Sequence, residues 1–286
     1  MKKYSKVLSL ALAFVMLFAL CACGTAASSP AAEPTAAPAA DAPASEAPAE
    51  TEAPAESQGV LDQIKADGVL YVTLSPDFAP MEFVDSSKDG QEQYVGFDVT
   101  LAKYIADYIG VDLVIEPMSF DACQTAVYTG SVPMSISGYS WTEERGENYE
   151  ISDYYYAGDN ETEQVILIKK TDADKYTSAE DFSGVDVGAQ NASLQMNLLT
   201  SQLPDANPIT IGDLGVGVLE LQNGSIEALA VAKGNAEMIL DSNPDLMICS
   251  WEFEVAAEYE ANVILITKGE TALLNVVNEA LDKAYA

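Results

Sequence analysis

The chain has 286 residues, with 13 Lys or Arg, 45 Asp or Glu and no His, so its formal charge is −32. Nucleic acids and anionic membrane surfaces are bound through cationic side chains, and this balance argues against both as partners. Without His there is no imidazole base catalysis, no Ser-His-Asp triad and no His-ligated zinc. The residues call for no metal and no cofactor. One arginine, Arg145, stands in this acidic chain, which raises the question of what a lone guanidinium is for.

Lys2, Lys3 and Lys6 precede an apolar run over residues 7–20 (VLSLALAFVMLFAL), the basic and hydrophobic regions of a secretory signal. The run is too short to span a bilayer comfortably. It ends in Leu20-Cys21-Ala22-Cys23-Gly24, which resembles a bacterial lipobox. Ala22 before Cys23 and Leu20 three residues back fit that pattern. Residues 1–22 are therefore expected to be cleaved, leaving a lipidated Cys23 as the membrane anchor. Residues 25–57 are almost entirely Ala, Pro, Glu, Ser and Thr and cannot build a core. Proline at this density favours extended polyproline II, so residues 23–58 read as a tether on the order of 100 Å long. The expected location is the cell membrane, lipid-anchored on the extracytoplasmic face.

From Val60 onward, apolar runs of strand length alternate with amphipathic helical patterns, the signature of an α/β layered fold. Val69–Leu74 reads as a strand. Phe97–Ile109 places Val99, Ala102, Ile105, Ala106 and Ile109 on one helical face and ends at Gly110. Further strands are expected at Asp112–Ile115, Met134–Ser137, Val165–Ile168, Val185–Gly188, Ile226–Val231, Leu246–Ser250 and Val263–Ile266. Helices are expected at Asp121–Thr129, Ser193–Leu203, Leu214–Gln222, Asn235–Asp241 and Thr271–Ala284. No internal sequence repeat is visible. Cys123 and Cys249 are expected to be free, buried thiols.

Four ordered pieces carry a resemblance: Val69–Phe83 (VLYVTLSPDFAPMEF), Val95–Lys103 (VGFDVTLAK), Ser137–Arg145 (SGYSWTEER) and Ile151–Tyr155 (ISDYY). It continues more weakly through Val187–Gln190 and Leu221–Glu227 to about Leu281. The chain resembles extracytoplasmic solute-binding proteins of the polar amino-acid type, the receptor subunits of ABC importers. The resemblance implies a two-lobed periplasmic-binding-protein-like fold with two crossover strands at the hinge. Lobe 1 would be residues 59–157 plus 262–286 and lobe 2 residues 158–261, hinged near Gly158–Glu161 and Ala257–Ala261. It also implies a small carboxylate-bearing, amino-acid-like ligand held in the cleft, permease subunits as partners, and a monomer.

In that resemblance Arg145 clamps the ligand carboxylate, for which a planar guanidinium fork is suited. Ser137, Gly138 and Ser140 offer hydroxyls and a backbone N–H to the same group. Ser193 starts a helix whose N-terminal amides attract an anion, Phe78 and Phe120 sandwich the ligand, and Tyr139 lines the pocket. Trp141 is assigned to the core. Where these proteins place an aspartate for the ligand's α-ammonium, this chain has Ala232, followed by Lys233. Two readings stay open: a ligand without a free α-amine, or a substitute acid such as Glu82 or Glu237. Ser75 stands where binders of basic amino acids often have an acid, and Pro133 where an aspartate is usual. The resemblance implies a further terminal helix beyond Ala286, and whether the sequence is truncated there stays open. Two other functions share the fold: a cyclohexadienyl-dehydratase-like enzyme, and a ligand-sensing domain of a signalling protein.

Overall fold

A computed structural model of the chain describes residues 59–155, 163–259 and 261–286. The leader, Cys23, the tether and the Gly158–Glu161 part of the expected hinge lie outside the described residues.

The chain first forms α1 (Val60–Asp67), β1 (Val69–Leu74), the short strands β2 (Asp77–Phe78), β3 (Glu82–Val84) and β4 (Tyr94–Val95), and α2 (Phe97–Ile109). It continues with β5 (Asp112–Pro117), α3 (Phe120–Tyr128), β6 (Met134–Ser140), α4 (Glu143–Asn148) and β7 (Glu150–Ile151). The second series is β8 (Gln164–Lys169), β9 (Asp186–Gln190), α5 (Leu194–Gln202), β10 (Asn207–Ile211), α6 (Leu214–Asn223), β11 (Ala228–Ala232), α7 (Lys233–Ser242) and β12 (Leu246–Ile248). The chain then returns through β13 (Asn262–Ile266) and α8 (Thr271–Ala284).

These strands build two five-stranded sheets, ordered β5-β1-β6-β13-β7 and β10-β9-β11-β8-β12, beside a small β2-β3-β4 sheet. In the first sheet β1 runs parallel to β5 and β6, and β13 is antiparallel to β6 and β7. In the second, β9 runs parallel to β10 and β11, and β8 is antiparallel to β11 and β12. The two sheets thus share one wiring pattern although the sequence shows no repeat. In each, the antiparallel fourth strand, β13 or β8, is the one by which the chain arrives from the other sheet. The architecture is the two-lobed α/β fold expected from the sequence.

Each lobe has its own core. Leu101, Ala102, Ile105 and Ala106 of α2 are buried with Leu70, Val72 and Leu74 of β1 and with Leu273, Val277, Ala280 and Leu281 of α8. The buried face of α2 is rotated from the expected one: Val99 and Ile109 are only partly buried, whereas Asp98 is fully buried. In the second lobe one sheet face packs Ile166, Ile168, Val187, Ala228 and Ala230 against Phe182 and Leu199, and the other packs Val165, Leu167, Leu229 and Val231 against Leu214, Val218 and Leu221. Apolar burial on both faces is what parallel strands covered by helices require.

β10 was not expected from the sequence: it is an edge strand in which only Ile211 is buried, so it has no apolar pattern to display. The expected strand Leu246–Ser250 ends at Ile248; the next residue, Cys249, still donates its N–H to the Ile166 carbonyl of β8 at 2.8 Å, and its thiol donates to the Trp251 carbonyl at 2.9 Å. Cys123 and Cys249 are free and buried, and burial pushes both thiols up to about 11. Ala257–Tyr259, in the second expected hinge segment, forms a short 3-10 turn.

Candidate functional site

In open α/β sheets, ligands bind beyond the carboxyl ends of the parallel strands. Both sheets here present those ends to one small cavity, partly open to solvent. The first lobe contributes Phe78, Phe120, Ser137, Gly138, Ser140, Arg145 and Asn262, and the second Gln164, Gln190, Leu194, Gln195 and Ala232. Seven of the nine expected site residues are in this lining: Phe78, Phe120, Ser137, Gly138, Ser140, Arg145 and Ala232.

Arg145 sits in the first turn of α4, where the Thr142 hydroxyl accepts its backbone N–H at 3.2 Å and caps the helix. Its side chain is only 5% exposed. Nε donates to Gln124 Oε1 at 3.3 Å, Nη1 to the Ser140 carbonyl at 2.6 Å and Nη2 to the Ala192 carbonyl at 2.9 Å. The guanidinium carbon lies 5.1 Å from the Tyr139 ring centre and 5.8 Å from that of Phe120. Among the described residues no carboxylate forms an ion pair with it. Burial lowers its affinity for the proton somewhat, and it remains a cation with two of its five N–H donors uncommitted to these partners.

Several expected contributions differ in detail. Tyr139 does not line the cavity: it is fully buried behind it, its ring 5.0 Å from Phe120 and its hydroxyl 2.8 Å from Ser135 Oγ. Ser193 also lies outside the lining and caps α5, accepting the Met196 N–H at 3.1 Å. The Ser137 hydroxyl is spent internally, accepting the Ser75 N–H at 3.0 Å and donating to Glu82 Oε1 at 2.5 Å. The Gly138 N–H likewise donates to Asp98 Oδ2 at 2.8 Å rather than into the cavity. Gly138 has φ +57°, and a Cβ there would come within 2.9 Å of the Phe78 ring, so both backbone and aromatic neighbour require glycine. The Ser140 hydroxyl has no protein partner among the described residues and remains available.

Behind the cavity floor lies a pair of fully buried carboxyls. The N-terminus of α2 docks on the turn before β3, with Asp98 N–H donating to the Met81 carbonyl at 2.9 Å. A Cβ at Gly96 would lie 2.2 Å from that carbonyl oxygen, and its φ is +125°; only glycine permits this approach. The docking brings Asp98 into hydrogen-bonding contact with Glu82. Asp98 Oδ2 also accepts the Tyr155 hydroxyl at 3.0 Å, while Glu82 Oε2 and Asp98 Oδ1 find no other partner. Desolvation raises Glu82 well above the usual carboxylate range, with the Asp98 charge adding to it, and raises Asp98 to about 7. Two acceptors facing each other in a dry site require a proton between them. The pair thereby ties Ser137 and Gly138 to Tyr155, whose backbone bridges Asn262 at the cavity edge. Glu82 was one possible substitute for the missing aspartate. It is sealed beneath the floor, and Glu237 is exposed on α7.

The lobes are joined across the cleft by polar contacts invisible in the sequence. Asp77 Oδ2 accepts the Gln190 side-chain amide at 2.9 Å and the Leu214 backbone N–H at 2.8 Å, and Asp77 Oδ1 accepts the Ser75 hydroxyl at 2.8 Å. Asn235 Nδ2 donates to the Ala79 carbonyl at 3.1 Å and Asn191 Nδ2 to Asp121 Oδ2 at 3.0 Å. Gln164, Gln190, Leu194, Gln195 and Asn262 also line the cavity and were not among the residues expected from the sequence. Their only sequence signal is position at strand ends and in a helix first turn.

Residues 70–286 match the family of bacterial extracellular solute-binding proteins, family 3. A probable histidine-binding protein of Campylobacter jejuni is 29% identical over 178 residues, covering 62% of this chain and 65% of that protein. The chain thus spans about two thirds of that relative's length. The arginine-binding extracellular protein ArtP of Bacillus subtilis is 29% identical over 217 residues, covering 74% of this chain and 79% of ArtP. Among solved structures, an amino acid ABC transporter substrate-binding protein of Streptococcus pneumoniae bound to L-arginine is 31% identical with a TM-score of 0.72, covering 80% of this chain and 92% of that one. With matching sequence, matching fold and a cavity at the same ends of both sheets, the chain belongs to the bacterial extracellular solute-binding proteins, family 3.

Proposed function

We propose that this protein is the receptor of an ABC importer, capturing a small carboxylate-bearing solute between its lobes and passing it to the permease without chemistry. One observation carries the reading: a buried guanidinium faces the cavity with no carboxylate partner among the described residues. Buried charges are ordinarily paired, and the ligand supplies the missing anion. Arg145 and the free Ser140 hydroxyl take the carboxylate, and Phe78 and Phe120 enclose the apolar part. Ser137 and Gly138 shape the floor, Tyr139 supports Arg145 and Phe120 from behind, and Ser193 orders the first turn of α5. The relatives are named for what they bind, and the dehydratase alternative finds no support among them.

In this reading lobe 1 comprises residues 59–157 and 262–286 and lobe 2 residues 158–261, hinged at the two crossings. The leader is removed, Cys23 is lipidated, and residues 24–58 hold a monomeric receptor off the outer face of the membrane. The family's extracellular placement supports this location.

The test is calorimetric titration of small carboxylic acids into the full chain and into an Arg145→Ala variant. Two charge-assisted hydrogen bonds at about 1.5–3 kcal/mol each imply a loss of at least two orders of magnitude in affinity. Equal affinity in the two proteins would refute the carboxylate assignment.

A further inference from the structure

We propose that the captured solute is a monoanionic carboxylic acid with no protonated amine, such as a 2-oxo acid, a 2-hydroxy acid or an N-acylated amino acid. This rests on Arg145 holding the carboxylate and concerns the rest of the molecule.

Among the described residues the cavity lining contains one cation and no acid. Among the described residues, five carboxylates around the cavity are held by other partners. Asp77 already receives three donors, and Glu82 and Asp98 are sealed behind the floor against each other. Asp121 faces solvent, holding Ser119 Oγ and Asn191 Nδ2. Glu163, outside the lining, is paired with Lys233. Among the described lining residues an enclosed ammonium would find no counter-charge in place of its water, and it would share the cavity with the like-charged Arg145.

The wall contributed by the second lobe offers something else. Ala232 ends β11 in register with Gln164, and Gln195 Nε2 donates to Gln164 Oε1 at 2.6 Å. Neutral amides recognise carbonyl, hydroxyl or amide groups through uncharged hydrogen bonds. A methyl at position 232 adds no polarity to that wall. The site therefore differs in charge from what an arginine-bound relative must accommodate.

The test titrates the full chain with the common L-α-amino acids, each beside its 2-oxo and N-acetyl counterpart, by thermal shift and then calorimetry. The best analogue should bind more tightly than its parent amino acid by on the order of 100-fold. Ala232→Asp should reverse this order, raising affinity for the parent amino acid at least about tenfold. Tighter binding of free amino acids than of their analogues by the wild type overturns the inference while leaving the carboxylate reading intact, provided Arg145→Ala still abolishes it. Binding indifferent to Arg145→Ala, or no binding by any member of the panel, overturns the carboxylate reading itself.

Discussion

The buried carboxyl pair makes a prediction whose sign and size follow from its surroundings. Replacing Glu82 with Gln keeps the local hydrogen bonds: the amide oxygen can accept from Ser137 Oγ, and the amide nitrogen can donate to Asp98 in place of the acid proton. What it removes is one titrating group. Burial raises the folded-state pKa of Glu82 well above 4.5 and that of Asp98 from 3.8 to about 7. The folded protein therefore holds protons that the unfolded chain has released. Stability supplied by these groups is complete at low pH and is lost as pH rises from about 4 through 7 and beyond. Each such proton contributes about 1.4 kcal/mol of lost stability per pH unit. The wild type should consequently lose stability more steeply than Glu82→Gln as pH rises above about 4.5, by up to about 1.4 kcal/mol per unit wherever the folded protein still holds the Glu82 proton. Asp77, also raised by burial, is common to both proteins and cancels in the comparison. Urea unfolding at half-unit pH intervals measures the two slopes. Parallel slopes would show that Glu82 holds no extra proton in the folded state, and the account of the cavity floor would fall with it.

Asp77→Ala removes the acceptor for Gln190 and Leu214 across the cleft. It should weaken binding of the best acid roughly tenfold and enlarge the ligand-free protein in solution scattering; unchanged affinity and dimensions would refute the role of Asp77 in closure. Gly96→Ala drives a Cβ to within 2.2 Å of the Met81 carbonyl oxygen at a φ of +125°. Its expected cost exceeds about 3 kcal/mol, and a wild-type urea midpoint would contradict the docking of α2 described above.

Much of the architecture was legible in the sequence because it depends on local periodicity. Alternating apolar strand-length runs and amphipathic helical stretches display the α/β layering, and buried strands such as Val165–Ile168 stand out because both their faces are apolar. Edge strand β10 does not, since solvent makes no demand on its side chains. The lone Arg145 and the aromatic residues Phe78 and Phe120 were likewise readable from motif position, and they line the cavity.

What only the tertiary structure decided is where polar groups are spent. Ser137, Gly138 and Tyr139 look from sequence like three ligand contacts, yet a hydroxyl goes to Glu82, an N–H to Asp98, and a ring to the packing behind Phe120. Glu82 could have been read as a substitute counter-ion until the docking of α2 placed Asp98 against it. The sequence thus determined that a guanidinium would be available, through residue type and spacing alone. Whether an acid accompanies it in the cavity depended on contacts between residues distant in the chain, such as Glu82 and Asp98 or Ala232 and Gln164, and only the fold brings those together.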